Sequence, residues 1–325
     1  YPASFGSDQE LNDHHFHYGY FLRAAAELAR RDPAWSQKWL PMIRLLARDI
    51  ASADRRDPLF PYLRCFDIYA GHSWASGHGR FGDGNNQESS SESINAWYGL
   101  LMLAEVTGDK ELRDQAAWLL ATEVSAIEDY WFDVHGDLFP RSYPASVVTM
   151  VWGGKGANAT WFDANPQSIH GINFLPVTAG SLYLGRFPAY ARKNYTALLS
   201  ELAEFRVTAK KGVAPQAPLD HWADVLWMQQ ATFDATGAKA NWAKRPANFR
   251  PEAGNSFTQT ELWLQVFEAF GTIDASVTAD TPFAAVFTKK GKRSYVAWNL
   301  TAKPVTVTFS DRTVLICPTK EISYK

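Results

Sequence analysis

The stretch Phe16-His-Tyr-Gly-Tyr-Phe-Leu-Arg-Ala-Ala-Ala-Glu-Leu-Ala-Arg-Arg31, with Ala34-Trp-Ser-Gln-Lys-Trp-Leu-Pro-Met-Ile-Arg-Leu-Leu-Ala-Arg-Asp-Ile-Ala-Ser-Ala53 just after it, sets the fold class. Leu22, Ala25, Ala26 and Ala29, then Trp39, Ile43, Leu46 and Ile50, recur at steps of three and four, which predicts two amphipathic helices. The same period returns over 92–106 and 110–130 around a Gly108-Asp109 turn, an αα-hairpin, and again near 169–184, 189–206, 219–232 and 257–270. Two long segments, 55–86 and 136–165, interrupt it. They are rich in Gly and aromatic residues, and their aromatics (Tyr62, Phe66, Tyr69, Trp74 and Phe81 in the first) argue against disorder. From Ala284 the period becomes two, so the last forty or so residues read as strands. The expectation is a mainly α chain with a short C-terminal β-sheet: a helical domain over 1–280 and a β-strand segment over 281–325 packed on it. Hairpins joined by long aromatic loops suggest a toroid of paired helices with a cleft at the loop end. A six-hairpin toroid has twelve helices; about eight are legible here, so either some are missed or the toroid is incomplete at the N-terminus.

Composition narrows the partner. A formal charge of −2, from 32 basic against 34 acidic residues, gives no broad field for nucleic acid or an anionic membrane. No apolar run is long enough to span a bilayer, and the first residues show no signal-peptide pattern, so the chain reads as a mature or excised piece. Cys65 and Cys317 form neither a zinc spacing nor a disulfide framework. Thirteen Trp point to a neutral partner with apolar faces, such as a sugar chain, although core packing is the commoner fate of any single Trp.

Two motifs carry chemistry. In Asn12-Asp-His-His-Phe-His-Tyr-Gly-Tyr20, three His beside an Asp invite a metal reading. Helical spacing weighs against it, because Asp13 shares a face with His17 and His14 with Tyr18 or Gly19, while His15 points elsewhere. Asn12 or Asp13 could simply cap the helix. Alternatively, Asp13 is a proton donor, a role that needs a raised pKa and so conflicts with capping; Asn12 as the cap would free it.

In Gly82-Asp-Gly-Asn-Asn-Gln-Glu-Ser-Ser-Ser-Glu92, a loop dense in Gly and amides runs into a helix start. Ser89 with Glu92 fits a capping box, and Asn85 with Glu88 fits the same spacing one turn earlier. With Ser89 as cap, Glu88 sits just outside the helix, where Asn85, Asn86 and Gln87 could hold a water. Glu88 is preferred as a general base and Glu92 as the like-charged neighbour that raises its pKa.

Together the two motifs resemble glycoside hydrolase family 81, the endo-β-1,3-glucanases, and Asn165-Pro-Gln-Ser-Ile-His-Gly-Ile-Asn-Phe-Leu-Pro176 is similar to a further landmark of that family. The resemblance implies an (α/α)6 toroid, an inverting mechanism, no metal or other cofactor, and internal cleavage of laminarin- or curdlan-type β-1,3-glucan by a secreted enzyme. It also implies Asp13 as general acid, the base function on Glu88 and Glu92, and a β-sandwich domain upstream in a longer chain.

Inversion places acid and base on opposite faces of the sugar, roughly 6.5–9.5 Å apart with a water between. His17, Tyr18 and Tyr20 are candidates to hold hydroxyls or tune Asp13, and Trp74, Trp97, Trp152 and Trp161 to stack on sugar. His78, Asp83, Asn86 and His170 complete the candidate substrate-binding set. Three rivals remain. A non-catalytic β-glucan-binding module would use the same aromatics, and a metal hydrolase would use His14, His15 and His17. A lyase would want a basic cleft, for which Arg80 is the only Lys or Arg in either motif region.

Overall fold

The computed structural model describes residues 3–209 and 212–325. Helices α1 (His14–Arg31) and α2 (Pro33–Ala51) form the first hairpin. Its turn is one residue, Asp32, whose carboxylate accepts from the Trp35 N–H at 3.0 Å while Pro33 occupies the first helical position, where no N–H is needed. The second hairpin, α3 (Ser90–Thr107) and α4 (Lys110–Ala126), turns at Gly108 in the left-handed conformation (φ 69°), and Asp109 caps α4 through the Leu112 N–H. A single π-helical turn, Ile127–Trp131, continues α4.

Helix α3 has no polar face along most of its length: from Ser93 to Ala104 every residue is buried. It is an inner helix, and α1 lies along it. A Cβ on Gly19 would come within 2.8 Å of the Ala96 Cα, and one on Gly99 within 2.9 Å of the Arg23 backbone N, so these glycines let the two backbones touch. The pair carries both chemical motifs, one at the start of each helix.

The remaining helices are α5 (Pro166–Gly171), α6 (Pro188–Thr208), α7 (Ala223–Ala231), α8 (Ala235–Ala243) and α9 (Phe257–Phe270). The single helix expected over 169–184 is instead α5 and a 3-10 run, Ala179–Gly185. Pro176 lies between them, lacking the N–H a continuous helix would use. The helix expected from 219 starts at Ala223, because Trp222 takes a left-handed conformation (φ 50°). Helix α8, capped by Asp234, has no counterpart in the sequence reading; it is short, and its small and polar residues leave little apolar periodicity to read.

Two of the long loops meet in a small antiparallel sheet of β3 (Asn86–Gln87), β4 (Met150–Trp152) and β5 (Gly156–Ala157), in which Asn86 pairs with Trp152. Gly84 (φ 82°) abuts Gly153 at a spacing that would leave a Cβ on Gly84 only 3.0 Å from the Gly153 Cα. β1 (Phe66–Asp67) and β2 (His72–Ser73) form a separate ribbon.

After α9, strands β6 (Thr272–Ile273), β7 (Ala284–Lys289), β8 (Lys292–Trp298) and β11 (Ile322–Tyr324) build an antiparallel sheet of order β11-β8-β7-β6. β9 (Val305–Thr308) pairs with β10 (Val314–Cys317). Val286, Ala297, Val307, Phe309, Leu315 and Cys317 form a satellite core between these strands, while Phe283 and Phe287 join the main helical core. Where this sheet meets α1, α3 and α9, an apolar groove of about 900 Å³ remains, bordered by Leu262, Trp263, Phe270, Phe283, Trp298 and Tyr324.

Candidate active site

At the N-terminal ends of α1 and α3 lies a cavity of about 540 Å³ lined by Asp13, His17, Asn86, Glu88, Glu92 and Trp161, with Phe5, Phe16, Phe81 and Phe162 as its apolar wall. Asp13 occupies the N-cap position of α1 but does not cap it. Its backbone is left-handed (φ 60°, ψ 19°), its N–H donates to the Ala75 carbonyl at 2.9 Å, and its side chain makes no cap hydrogen bond. Asn12 does not serve as the cap either, since its Oδ1 is buried without a protein partner. The carboxyl is thereby spared the helix N–H groups that would hold its pKa down. Burial, reinforced by the charge of Glu92, pushes Asp13 up to about 7 against the pull of His14.

Ser89 stands at the N-cap of α3, as one reading of the sequence places it, but the capping box does not form. The Ser89 hydroxyl donates to the Ile172 carbonyl at 3.1 Å, and Glu92 accepts from the Tyr20 hydroxyl at 2.9 Å. The alternative cap, Asn85, instead accepts from the N–H groups of Ser76 and Asn86. Glu88 Oε1 accepts the Trp161 backbone N–H at 2.8 Å. Burial pushes Glu88 up to about 7 against that bond, and the charges of Asp13 and Glu92 act in the same direction as burial. Burial also raises Glu92, with the hydrogen bond from Tyr20 opposing.

Of the three amides expected around Glu88, Asn86 alone lines the cavity, where its Oδ1 accepts from the Trp161 indole N–H at 3.2 Å. Strand alternation sends Gln87 to the opposite side. There, fully buried, its Nε2 faces His15 Nε2, the hydroxyls of Ser73 and Ser93, and Glu123. Asn85 turns to the Ser76 carbonyl. Glu123, which the sequence reading passed over, is fully buried behind the site. It accepts from Ser73 (2.7 Å) and Trp97 (2.6 Å), and burial pushes it up to about 7 against those bonds.

The structure gathers only part of the expected binding set. His17 lines the cavity beside Phe5, and Tyr20 reaches it through Glu92. Trp161, 56% exposed and held by Glu88 and Asn86, forms an aromatic cluster with Trp152 (5.4 Å between ring centroids) and Phe81 (5.9 Å). The other expected members lie elsewhere. Trp97 is fully buried core, and Trp74 donates to Asp67 while packing on His72. Tyr18 packs on His14, His78 pairs with Glu10, and Asp83 pairs with Lys155. His170 is buried between Asn194 and Glu201. Phe5, Phe81 and Phe162 were not singled out as cleft residues; the signal for Phe162 was its place beside Trp161 in an aromatic loop.

The three imidazoles of the first motif diverge. His14 bonds Asp49 (2.5 Å) and the Ser7 carbonyl, and His15 is buried against Gln87, its pKa pushed down to about 3 by burial. Only His17 of the three faces the cavity. Among the described residues no cluster of three or more His, Cys, Asp or Glu is arranged to hold an ion.

Two carboxyls from separate elements, both poised near neutral pH in one aromatic-walled cleft, are the parts of paired-carboxyl glycoside hydrolysis. The chain belongs to glycosyl hydrolase family 81: the model of that family's C-terminal domain matches residues 2–263. It is 48% identical to a glucan endo-1,3-β-D-glucosidase of Acetivibrio thermocellus over 317 residues, which is 97% of this chain and 39% of that protein. It is 46% identical to the enzyme of the same name from Thermobifida fusca over 325 residues, 99% of this chain and 41% of the other. A solved family 81 glycoside hydrolase from Clostridium thermocellum superposes with a TM-score of 0.91 at 45% identity, covering all of this chain and 44% of the other. The chain thus spans about two fifths of the length of these curated relatives.

Proposed function

We propose that this chain carries the catalytic centre of an endo-acting β-1,3-glucanase that inverts configuration, with Asp13 as general acid and Glu88 as general base. The observation that carries the reading is the pair of carboxyls at the starts of α1 and α3, both raised to about 7 and open to one cavity. Asp13 is uncapped and buried, so it keeps a proton to give to the leaving oxygen. Glu88 has one oxygen tied to the Trp161 N–H and, among the described residues, no protein donor on the other, which can take a proton from water. The second oxygen-rich candidate, Glu92, is engaged by Tyr20, and its charge holds Asp13 protonated. Trp161 supplies an apolar face against which a pyranose can lie.

The paired helices are read as an arc of an (α/α)6 toroid with the cleft at its loop end. A polymeric glucan as substrate implies work outside the cell, and the relatives' greater length supports an upstream domain in the whole protein. The test is the anomeric configuration of fresh products from laminarin, followed by proton NMR for the parent and for Glu88→Gln. Initial release of α-anomer, lost in Glu88→Gln, is the expected result. Initial β-anomer would overturn inversion, and sugar binding without any cleavage would favour the binding-module reading.

A further inference from the structure

Asp13 and Glu88 come from different elements and, among the described residues, share no hydrogen bond: Asp13 makes no cap bond, and Glu88 is held by the Trp161 N–H. Their separation is set by whatever joins the two elements behind the cleft. An inverting reaction depends on that separation, because a water must fit between base and sugar while the acid still reaches the leaving oxygen.

Behind the cleft the two elements meet twice. The first meeting is through the backbone of residue 75: the Asp13 N–H donates to the Ala75 carbonyl at 2.9 Å, and the Ala75 N–H donates to the Asn86 carbonyl at 2.7 Å. The second is through a side chain. Gln87, fully buried and next in sequence to Glu88, donates from Nε2 to His15 Nε2 at 3.2 Å, and His15 is equally buried two residues after Asp13. Burial keeps that imidazole neutral, so its ring nitrogen can accept. The same amide nitrogen reaches the Ser73 hydroxyl on β2 (2.8 Å) and the Ser93 hydroxyl in the first turn of α3. Glu123 of α4 completes the group, accepting from Ser73 at 2.7 Å and lying 3.4 Å from the amide nitrogen.

Packing does not account for an amide at this point. Gln87 Oε1 is buried with no protein partner, and an orphan carbonyl destabilises a fold. What the amide adds is a directional link between segments that carry the reacting groups, and such groups hold their geometry only where bonds behind them lock their supports. We infer that Gln87 is a positioning residue, whose amide braces the start of α1 against the strand leading to Glu88 and so sets the separation of acid and base. The inference rests on the acid and base assignments proposed above.

The experiment is a double-mutant cycle on laminarin hydrolysis with the parent, Gln87→Met, Glu88→Gln and the combination. Met fills a similar volume and cannot donate. Gln87→Met should lower kcat by about 10- to 100-fold with KM within about twofold, the scale of misplacing a reacting group by roughly 1 Å. Added to Glu88→Gln it should cost less than about 3-fold, because a base already removed cannot be misplaced. Parent kcat in Gln87→Met, a loss confined to KM, or equal losses with and without Glu88 would overturn the positioning role while the base assignment stands. Should Gln87→Met fail to fold, His15→Asn, which stays polar but lacks the accepting nitrogen, decides by the same cycle. Undiminished cleavage by Glu88→Gln, or none by the parent, would overturn the acid–base reading and the positioning role with it.

Discussion

Two concavities share the seam between α1 and α3, and their contrast separates size from chemistry. The groove against α9 and the sheet is the larger, about 900 Å³ against about 540 Å³, and its walls are mostly apolar. Among the described residues lining it there is no carboxyl and no imidazole. Asn95 at its floor has both amide atoms buried without a protein partner. The smaller cleft holds Asp13, Glu88, Glu92 and His17. Apolar volume can bind, but proton transfer needs groups whose pKa lies near the working pH. Tyr20 touches both regions: its ring borders the groove and its hydroxyl bonds Glu92.

The largest difference should appear when each concavity is altered in turn. Glu88→Gln or Asp13→Asn should lower kcat on β-1,3-glucan by roughly 10²–10⁴-fold, whereas Leu262→Ser, on the exposed groove wall, should leave kcat/KM within about twofold. A large loss from Leu262→Ser, with the melting temperature unchanged, would mean that the groove takes part in turnover.

An intermediate effect should come from the residues joining the two. With Asp13 and Glu88, the proposed acid and base, both raised to about 7, kcat/KM should follow a narrow bell around neutral pH, whose limbs belong to the pair. Glu92→Gln removes a charge that keeps Asp13 protonated, so the alkaline limb should move to lower pH; Tyr20→Phe should cost about 10-fold in kcat with little change in KM. An alkaline limb that stays in place in Glu92→Gln would show that Glu92 does not act on the acid.

The smallest effect concerns stability behind the cleft. Burial raises Glu123 from 4.5 in the free side chain to about 7. Its contribution is therefore full below the unfolded value and is lost as pH rises through the folded one. Glu123→Gln has no proton to lose, so its melting temperature relative to the parent should climb by a few degrees between pH 5 and pH 8. A difference that stays constant over this range would show that Glu123 does not ionise there in the folded protein.

Much of this contrast was legible in the sequence. Apolar steps at 22, 25, 26 and 29 and at 39, 43, 46 and 50 are local consequences of helix geometry, and the alternation after Ala284 is equally local. The helix starts at Asp13 and Ser89 could be read, but not what their side chains do there. Local spacing suggested an Asn12 cap and a Ser89–Glu92 box. In the structure the Ser89 hydroxyl and the Glu92 carboxyl go to Ile172 and Tyr20, partners about eighty and seventy positions away, which a short motif cannot contain. Trp97 and Trp161 could not be told apart by composition. One faces the core because α3 is enclosed on all sides, and the other is brought to Glu88 by the pairing of β3 with β4.

The sequence by itself determined the helical class, the C-terminal strands and the two motifs that carry the carboxyls, because periodicity and motif spacing are short-range properties. Only the tertiary structure decided which groups share the cleft and which carboxyls burial raises toward neutral pH. Burial, charge proximity and stacking are fixed by distances between residues far apart in the chain, and those distances exist only once α1, α3 and the two aromatic loops have packed.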